Sequence, residues 1–174
     1  LIAGFGRVGK NLIKKCVGFD MNIFVYDPFV DEKIVSSLGG KKVNNFHKTI
    51  QEMDYVSLHM PLTEKTRNLI NMKVLNTMKK NSIIINTSRG EIVNEKDLIK
   101  HIKSNKTFFT SLDVFNKEPL VKLHIFWTHP NVTVTPHIAS ITVIDSAIEQ
   151  MHKRFLEYKK TGKIINDVNL KKGY

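Results

Sequence analysis

Cysteine is almost absent from this chain of 174 residues, which has only Cys16. A single cysteine forms neither an internal disulfide framework nor a multi-cysteine metal site, and such usage is typical of the reducing cytoplasm. The chain also lacks any apolar run near the roughly 20 residues that a membrane-spanning helix needs. We therefore expect a cytoplasmic protein of one domain or slightly more, with no metal centre and no membrane partner.

Arginine is scarce although the chain is strongly basic, with a formal net charge of +11. Among its 27 lysine and arginine residues, the arginines are Arg7, Arg67, Arg89 and Arg154. The lysines are scattered and are not interleaved with aromatic residues, unlike the surfaces that bind nucleic acids. We interpret the charge as a solvated surface that attracts small anions, and predict no nucleic-acid partner.

Three closely spaced glycines come after a short apolar segment at the start of the chain: Gly4, Gly6 and Gly9. In a dinucleotide-binding turn, the first glycine allows a tight turn and the second lets the backbone approach a pyrophosphate. The third lets the next helix pack on the sheet, with its first N–H groups facing the anion. Glycines at this spacing also occur in ordinary turns, so the interpretation depends on residues further along the chain.

An acidic residue, Asp27, follows the second predicted strand, about 18 residues beyond Gly9. Dinucleotide-binding folds place a carboxylate near this point, where it accepts hydrogen bonds from the adenosine ribose. Such a carboxylate repels a 2′-phosphate, and no arginine follows it closely, so the sequence predicts NAD and not NADP. The alternative is an aspartate that initiates a turn before Pro28.

Strand-like and helix-like segments alternate along the chain. This alternation predicts an α/β fold, a doubly wound parallel sheet of the Rossmann type. The predicted strands after the first are 22–26, 41–43, 54–58, 82–86, 107–112 and 132–135, and the predicted helices are 7–18, 31–38, 46–53, 71–78, 95–103 and 142–160.

Unusual polar residues stand where the predicted strands end: Asp27, His59, Arg89, Asp113 and His137. The carboxyl ends of parallel strands meet at one edge of the sheet, which is where open α/β sheets bind their ligands. This placement predicts a functional site at that edge.

Three residues at this edge suit the reduction of a 2-keto acid. The planar fork of Arg89 can hold a carboxylate with two hydrogen bonds. His137 can give a proton near neutral pH, and Glu118 can orient its ring. Taken singly, the three could also be a turn arginine, a loop acid and a hydrogen-bonded loop histidine.

The sequence resembles the D-isomer-specific 2-hydroxyacid dehydrogenases. The matching motifs are Gly-Phe-Gly-Arg-Val-Gly at 4–9, Val-Ser-Leu-His-Met-Pro-Leu-Thr at 56–63, Ile-Asn-Thr-Ser-Arg-Gly at 85–90, Leu-Asp-Val-Phe at 112–115 with Glu-Pro at 118–119, and Thr-Pro-His-Ile-Ala at 135–139. They come in the family's order and cover nearly the whole chain.

The resemblance implies a catalytic set of Arg89, Glu118 and His137, with NAD as cofactor. It also implies that Arg7 and Val8 lie at the pyrophosphate, Asp27 at the adenosine ribose, Met60 and Pro61 beside the adenosine half, and Thr87, Asp113 and 138–140 around the nicotinamide. The full set of expected cofactor contacts is Gly4, Gly6, Arg7, Val8, Gly9, Asp27, His59, Met60, Pro61, Thr87, Ser88, Arg89, Asp113, His137, Ala139 and Ser140.

The family resemblance has consequences for the whole protein. It implies a dinucleotide-binding domain over 1–160, with 161–174 returning to a substrate domain, and a homodimer. Because Leu1 is not an initiator methionine, we expect the chain to be a fragment that lacks most of that substrate domain.

The substrate is predicted only by class, as a small anionic 2-keto or 2-hydroxy acid. Residues 118–120 and 124–130 resemble the glyoxylate/hydroxypyruvate reductases, whereas the front half looks closer to the 3-phosphoglycerate dehydrogenases. A further alternative is an NAD-sensing interaction protein similar to the corepressors that share this fold.

Overall fold

A computed structural model of the protein describes residues 1–140 and 143–163. Seven strands form one sheet, in which every pairing is parallel. The strands are β1 (Ile2–Ala3), β2 (Phe24–Tyr26), β3 (Lys41–Val43), β4 (Tyr55–Leu58), β5 (Ile83–Asn86), β6 (Phe109–Leu112) and β7 (Val132–Val134). The predicted fold class, a doubly wound parallel sheet, is confirmed.

The order of the strands places a crevice beside β1. Across the sheet the order is β3-β2-β1-β4-β5-β6-β7. From β1 the chain moves outward to β2 and β3 and then returns to β4 on the other side of β1. The loops after β1 and β4 therefore diverge, and doubly wound folds bind ligands in the crevice that such a reversal opens.

The described residues contain six α-helices: α1 (Arg7–Cys16), α2 (Glu32–Ser37), α3 (Phe46–Thr49), α4 (Met72–Leu75), α5 (Glu95–Ser104) and α6 (Ile144–Thr161). Asp31, Asn45, Asn71 and Asn94 each accept a backbone N–H at the start of α2, α3, α4 and α5 respectively. Such side-chain caps satisfy N–H groups that the helix itself cannot pair. Helix α1 differs, because Gly6 precedes it and offers no side-chain cap.

The sheet has a hydrophobic cluster on each face. Val25 belongs to the smaller cluster, whereas its neighbours Phe24 and Tyr26 pack against the larger one. Because successive side chains of a strand point to opposite faces, the two clusters lie on opposite sides of the sheet. The α1 residue Ile13 is fully buried in the smaller cluster.

Two predicted helices differ in detail from the structure. The predicted helix over 7–18 ends at Cys16. Helical periodicity predicts Val8 and Val17 on its apolar face, but they are 54% and 45% exposed, and Val17 lies beyond α1 in the single turn Val17–Phe19. The predicted helix over 71–78 is the single turn α4, in which Val74 is buried.

The chain divides into two compact units, Leu1–His137 and Ile138–Tyr174. In the second unit, α6 begins at Ile144, while Thr142 and the predicted tail beyond residue 163 lie outside the described residues. No described side chain of α6 is buried. The predicted domain boundary at 160 stays a prediction. Within 1–140 and 143–163, no helix combines the length and apolar character needed to cross a membrane.

Candidate functional site

The glycine turn after β1 is held by close backbone contacts. Gly4 has a positive φ of 96°, and a Cβ at this position would lie 2.6 Å from backbone atoms of His59 and Met60 at the end of β4. A Cβ on Gly9 would collide with the Gly4 carbonyl oxygen. The first and third glycines are therefore required by the fold itself.

Gly6 is free of such constraints, because a Cβ there would meet nothing within 4 Å. Gly6 is the N-cap of α1, which has no side-chain cap and no acidic residue in its first turn. Arg7 and Val8 come next and are exposed. An uncapped helix start without acids favours an anion, both through its N–H groups and through the helix dipole. The open space at Gly6 fits a pyrophosphate.

Asp27 is bonded to the glycine turn. Its Oδ2 accepts the Phe5 N–H over 2.8 Å, and its Oδ1 accepts the Phe29 N–H over 2.9 Å. The carboxylate therefore fixes the turn after β1 to the end of β2. A carboxylate has about four acceptor positions, so these two bonds leave capacity for a ribose diol.

His59 lies at the end of β4 between two hydroxyl groups. Its Nε2 is 2.8 Å from Ser57 Oγ, and its Nδ1 is 3.3 Å from Thr87 Oγ1. Burial lowers the pKa of His59 and so favours the neutral ring. Thr87 at the end of β5 is thus tied to β4. Of the next two predicted residues, Met60 is buried in the larger core cluster and Pro61 is half-buried.

The turn that carries Arg89 is organised by Asn86, which is 1% exposed. Asn86 Oδ1 accepts the Ser88 N–H over 3.1 Å and the Ser88 hydroxyl over 2.9 Å, and Nδ2 donates to the Arg89 carbonyl over 2.9 Å. Ser88 is buried and its hydroxyl bonds within the turn. Arg89 is exposed, and its Nη1 donates to the Ser88 carbonyl over 2.6 Å.

Asp113, at the end of β6, is 3% exposed and accepts the Thr135 hydroxyl over 2.5 Å. Its backbone N–H donates to the Asn86 carbonyl over 3.0 Å. These bonds connect the ends of β5, β6 and β7. Asp113 therefore lies at the same sheet edge as Arg89.

His137 and Glu118 form the acid–imidazole pair of the site. His137 Nδ1 lies 2.7 Å from Glu118 Oε2, and Glu118 Oε1 accepts the Phe115 N–H over 2.9 Å. Burial acts to raise the pKa of the Glu118 carboxyl, but the bonds from His137 and Phe115 hold this pKa below its ordinary value. His137 has a φ of 55°, a left-handed conformation that few residues other than glycine adopt. A carboxylate on Nδ1 leaves Nε2 as the nitrogen that exchanges a proton with a ligand.

Most of the predicted site residues lie at the carboxyl edge of the sheet in the unit Leu1–His137. Ala139 and Ser140 belong to the second unit and are exposed. Sequence reasoning missed Ser57, Asn86 and Thr135 as members of the site. Their signal was a polar residue inside or directly after a buried strand, which needs a hydrogen-bond partner.

In the described parts of the chain, no group of three histidine, cysteine, aspartate or glutamate residues is placed to hold a metal ion. The edge instead combines an anion cradle, a guanidinium and a carboxylate-bound imidazole. These groups suit a dinucleotide beside a small carboxylic acid.

Comparison with known families agrees with this geometry. The family model described as "D-isomer specific 2-hydroxyacid dehydrogenase, NAD binding domain" matches residues 1–139. The chain belongs to the D-isomer specific 2-hydroxyacid dehydrogenase family. The matched residues include the glycine turn, the Arg89 turn and the Glu118–His137 pair of this dehydrogenase domain.

Curated relatives carry two different names. The D-3-phosphoglycerate dehydrogenase of Methanocaldococcus jannaschii is 33% identical over 97% of this chain and 33% of its own length. The glyoxylate reductase of Thermococcus litoralis is 40% identical over 81% of this chain and 42% of its own length. The chain thus spans about a third to two fifths of these relatives.

Solved structures of this dehydrogenase family are similar in fold. A D-isomer specific 2-hydroxyacid dehydrogenase from Xanthobacter autotrophicus, in complex with NADPH and MES, is 27% identical with a TM-score of 0.87, over 99% of this chain and 71% of that one. An NADPH-dependent glyoxylate/hydroxypyruvate reductase from Sinorhizobium meliloti is 24% identical over 99% of this chain and 56% of that one, also with a TM-score of 0.87. The latter likeness concerns the fold alone.

Proposed function

We propose that the protein reduces a small 2-keto acid, glyoxylate or hydroxypyruvate, to the D-2-hydroxy acid with NADH. The observation that carries this proposal is the 2.7 Å contact between His137 and Glu118 at the edge of the sheet that holds the glycine turn. An acid–imidazole pair beside a dinucleotide cradle suits a reaction that adds a hydride and a proton to a carbonyl group.

His137 gives the proton in this proposal. Its Nδ1 faces the Glu118 carboxylate, so the proton for the substrate oxygen comes from Nε2. Glu118 holds the ring in orientation and stabilises its positive charge before the proton leaves. Glu118 is itself held by the Phe115 N–H.

Arg89 binds the substrate carboxylate. Its guanidinium is exposed at the end of β5, and its planar fork matches a carboxylate with two parallel hydrogen bonds. The same charge polarises the neighbouring keto group and favours negative charge on its oxygen during reduction.

A bound nicotinamide dinucleotide supplies the hydride, and the residues present fit such a group. We propose that Gly4, Gly6, Arg7, Val8 and Gly9 hold its pyrophosphate, Asp27 its ribose, and His59, Met60, Pro61, Thr87, Ser88, Arg89, Asp113, His137, Ala139 and Ser140 the remaining contacts. The uncapped start of α1 and the open space at Gly6 support the pyrophosphate position.

NAD rather than NADP is proposed as the cofactor because of the charge at the end of β2. The Asp27 carboxylate repels a 2′-phosphate. Lys42, a cation near this strand end, donates to the Val30 carbonyl over 2.7 Å. The Xanthobacter autotrophicus relative was solved in complex with NADPH, so the affinities of this protein for NADH and NADPH need to be measured side by side.

A second candidate function is the oxidation of 3-phosphoglycerate. The observation that favours it is the similarity to the Methanocaldococcus jannaschii D-3-phosphoglycerate dehydrogenase over 97% of the chain. The strong positive charge of the chain also suits a phosphorylated substrate.

The wider context is proposed on the family resemblance. We propose a cytoplasmic homodimer in which residues 1–160 form the dinucleotide-binding domain and 161–174 return to a substrate domain. Analytical ultracentrifugation of the full-length protein tests the dimer, and limited proteolysis tests the boundary.

A panel of 2-keto acids tests the proposed activity. Full-length protein is mixed with NADH or NADPH and with glyoxylate, hydroxypyruvate, pyruvate or 3-phosphohydroxypyruvate, and the loss of absorbance of the reduced cofactor is followed. We expect turnover with NADH and the first two acids. Turnover of 3-phosphohydroxypyruvate alone would favour the second candidate. NADH binding without any turnover would favour a sensor.

A further inference from the structure

Asn86 is 1% exposed, and burying an amide costs free energy unless its polar atoms are hydrogen-bonded. It ends β5, between Leu58 of β4 and Leu112 of β6 in the register of the sheet. Its side chain makes three hydrogen bonds within the turn that follows, two to Ser88 and one to the Arg89 carbonyl. Buried amides bonded in this way fix the local chain path.

Gly90, which follows Arg89, packs against the loop after β6. A Cβ on Gly90 would collide with the Phe115 carbonyl group and lie 2.6 Å from the Asn116 nitrogen. Gly90 has no positive φ in the structure, so its requirement is for space and not for backbone freedom. The Arg89 turn therefore touches the loop after β6 directly through its backbone.

That loop holds the acid–imidazole pair. The Phe115 N–H donates to Glu118 Oε1 over 2.9 Å, and Glu118 Oε2 lies 2.7 Å from His137 Nδ1. A continuous series of short contacts thus runs from Asn86 through Gly90 and Phe115 to Glu118 and His137. Every member lies in the unit Leu1–His137.

We propose that Asn86 is a positioning residue that sets the placement of Arg89 relative to the Glu118–His137 pair. This inference rests on the proposed function, in which Arg89 binds the substrate carboxylate and His137 gives the proton. Because Arg89 would hold the substrate while His137 protonates it, the rate depends on the distance between these two residues. A displacement of about 1 Å costs on the order of a hundredfold in rate.

The competing explanation is that Asn86 only stabilises the fold, and the chain offers a matched control for it. Asn131 is 8% exposed, and its Nδ2 donates to the Lys106 and Phe108 carbonyls over 2.7 and 2.8 Å. It precedes β7, at the opposite edge of the sheet from Arg89. In either aspartate variant, a carboxylate oxygen replaces the amide nitrogen that donates to a backbone carbonyl, and this oxygen repels the carbonyl oxygen.

The experiment compares Asn86→Asp and Asn131→Asp in the full-length protein. Both variants are expected to lower the melting temperature. Asn86→Asp is expected to lower kcat/KM for the preferred keto acid at least about tenfold, mainly through kcat, because the substrate held by Arg89 would be displaced from the proton donor His137. Asn131→Asp is expected to retain kcat/KM within about twofold. Asn86→Ala, which adds no charge, is expected to behave like Asn86→Asp.

Equal kinetic losses in the Asn86 and Asn131 variants, or unchanged kcat/KM in both Asn86 variants, would overturn the proposal. A readout without turnover separates it from the proposed function. In NMR spectra, Asn86→Ala is expected to shift the Phe115 amide and the His137 imidazole signals, whereas Asn131→Asp leaves both in place. If the unmodified protein shows no turnover, the proposed reaction fails, and these shifts still decide whether Asn86 positions the pair.

Discussion

Asp27 and Phe5 are joined by a hydrogen bond of 2.8 Å from the Phe5 N–H to the Asp27 carboxylate. The acid expected to bind the cofactor ribose therefore also holds the glycine turn in place. Removing this carboxylate is therefore expected to affect both the stability of the glycine turn and the binding of the cofactor. Substitutions at Asp27 must distinguish these two effects.

Asp27→Asn separates these two effects. The amide oxygen can still accept the Phe5 N–H, but the repulsion of a 2′-phosphate is gone. We expect the ratio of the NADPH to the NADH dissociation constant to fall at least about tenfold, by fluorescence titration. Asp27→Asn should lower the melting temperature less than Asp27→Ala, because the amide keeps one acceptor oxygen and loses only the bond from the Phe29 N–H, whereas alanine loses the bonds from both Phe5 and Phe29. A preference of the unmodified protein for NADPH would show that Asp27 does not select NAD.

Gly6→Ala tests the cofactor cradle without disturbing the fold. A Cβ at residue 6 meets nothing within 4 Å, so the melting temperature should stay the same. The methyl group would occupy the space assigned to the pyrophosphate, so NADH should bind at least about tenfold more weakly. Gly18→Ala is the control, since a Cβ at residue 18 also meets nothing within 4 Å, but Gly18 lies beyond the C-terminal end of α1 in the turn Val17–Phe19. Equal NADH affinity in both variants would place the pyrophosphate elsewhere.

Gly4→Ala should behave in the opposite way. Gly4 has a φ of 96°, and a Cβ would press on the backbone at the end of β4. We expect a loss of stability of at least about 1 kcal/mol, measured by urea denaturation, together with a loss of NADH binding. A stable Gly4→Ala protein that binds NADH normally would contradict the observed turn.

Glu118→Gln tests how the imidazole is held. The amide can still contact His137 but cannot balance a positive charge, so we expect kcat to fall about tenfold to a hundredfold. The NADH dissociation constant should hardly change. Asp54→Asn is the matched control, because Asp54 pairs with Lys79 over 2.7 Å on the surface. If both variants lost the same activity, a specific role of Glu118 in the reaction would be refuted.

Acid destabilisation should depend in part on His101. Its Nε2 is buried and has no hydrogen-bond partner among the described residues, and burial lowers its pKa from the ordinary 6.5. The unfolded chain therefore binds a proton that the folded chain resists, so stability falls as the pH drops below about 6.5. His101→Leu should make the urea-unfolding free energy less dependent on pH between about 5 and 8. Some pH dependence should remain in the variant, because the pKa of His59 is also lowered by burial. If the unfolding free energy of variant and parent changed with pH in the same way, a contribution from His101 would be excluded.

The sheet and its functional edge could be predicted because their signals are local. A polar residue ends or directly follows β2, β4, β5, β6 and β7, and the three glycines come directly after β1. The hydrogen bond between Asp27 and Phe5 and the contact between Gly90 and Phe115 could not be predicted, because each joins residues more than 20 positions apart. Helical periodicity predicts Val8 on the buried face of α1, but it is 54% exposed, because periodicity does not show how completely each turn of a helix is covered. The substrate could be predicted only by class, and relatives that are 33% and 40% identical to this chain carry different names.

The rate at which the full-length protein oxidises NADH with glyoxylate or hydroxypyruvate, measured with and without His137→Gln, reports most directly on the proposed chemistry. We expect turnover by the unmodified protein and a loss of at least about a hundredfold in kcat for the variant, with NADH bound equally well by both. Equal turnover by the two proteins would contradict the role of His137 as proton donor. Absence of turnover in the unmodified protein, with NADH still bound, would contradict the proposed reaction itself.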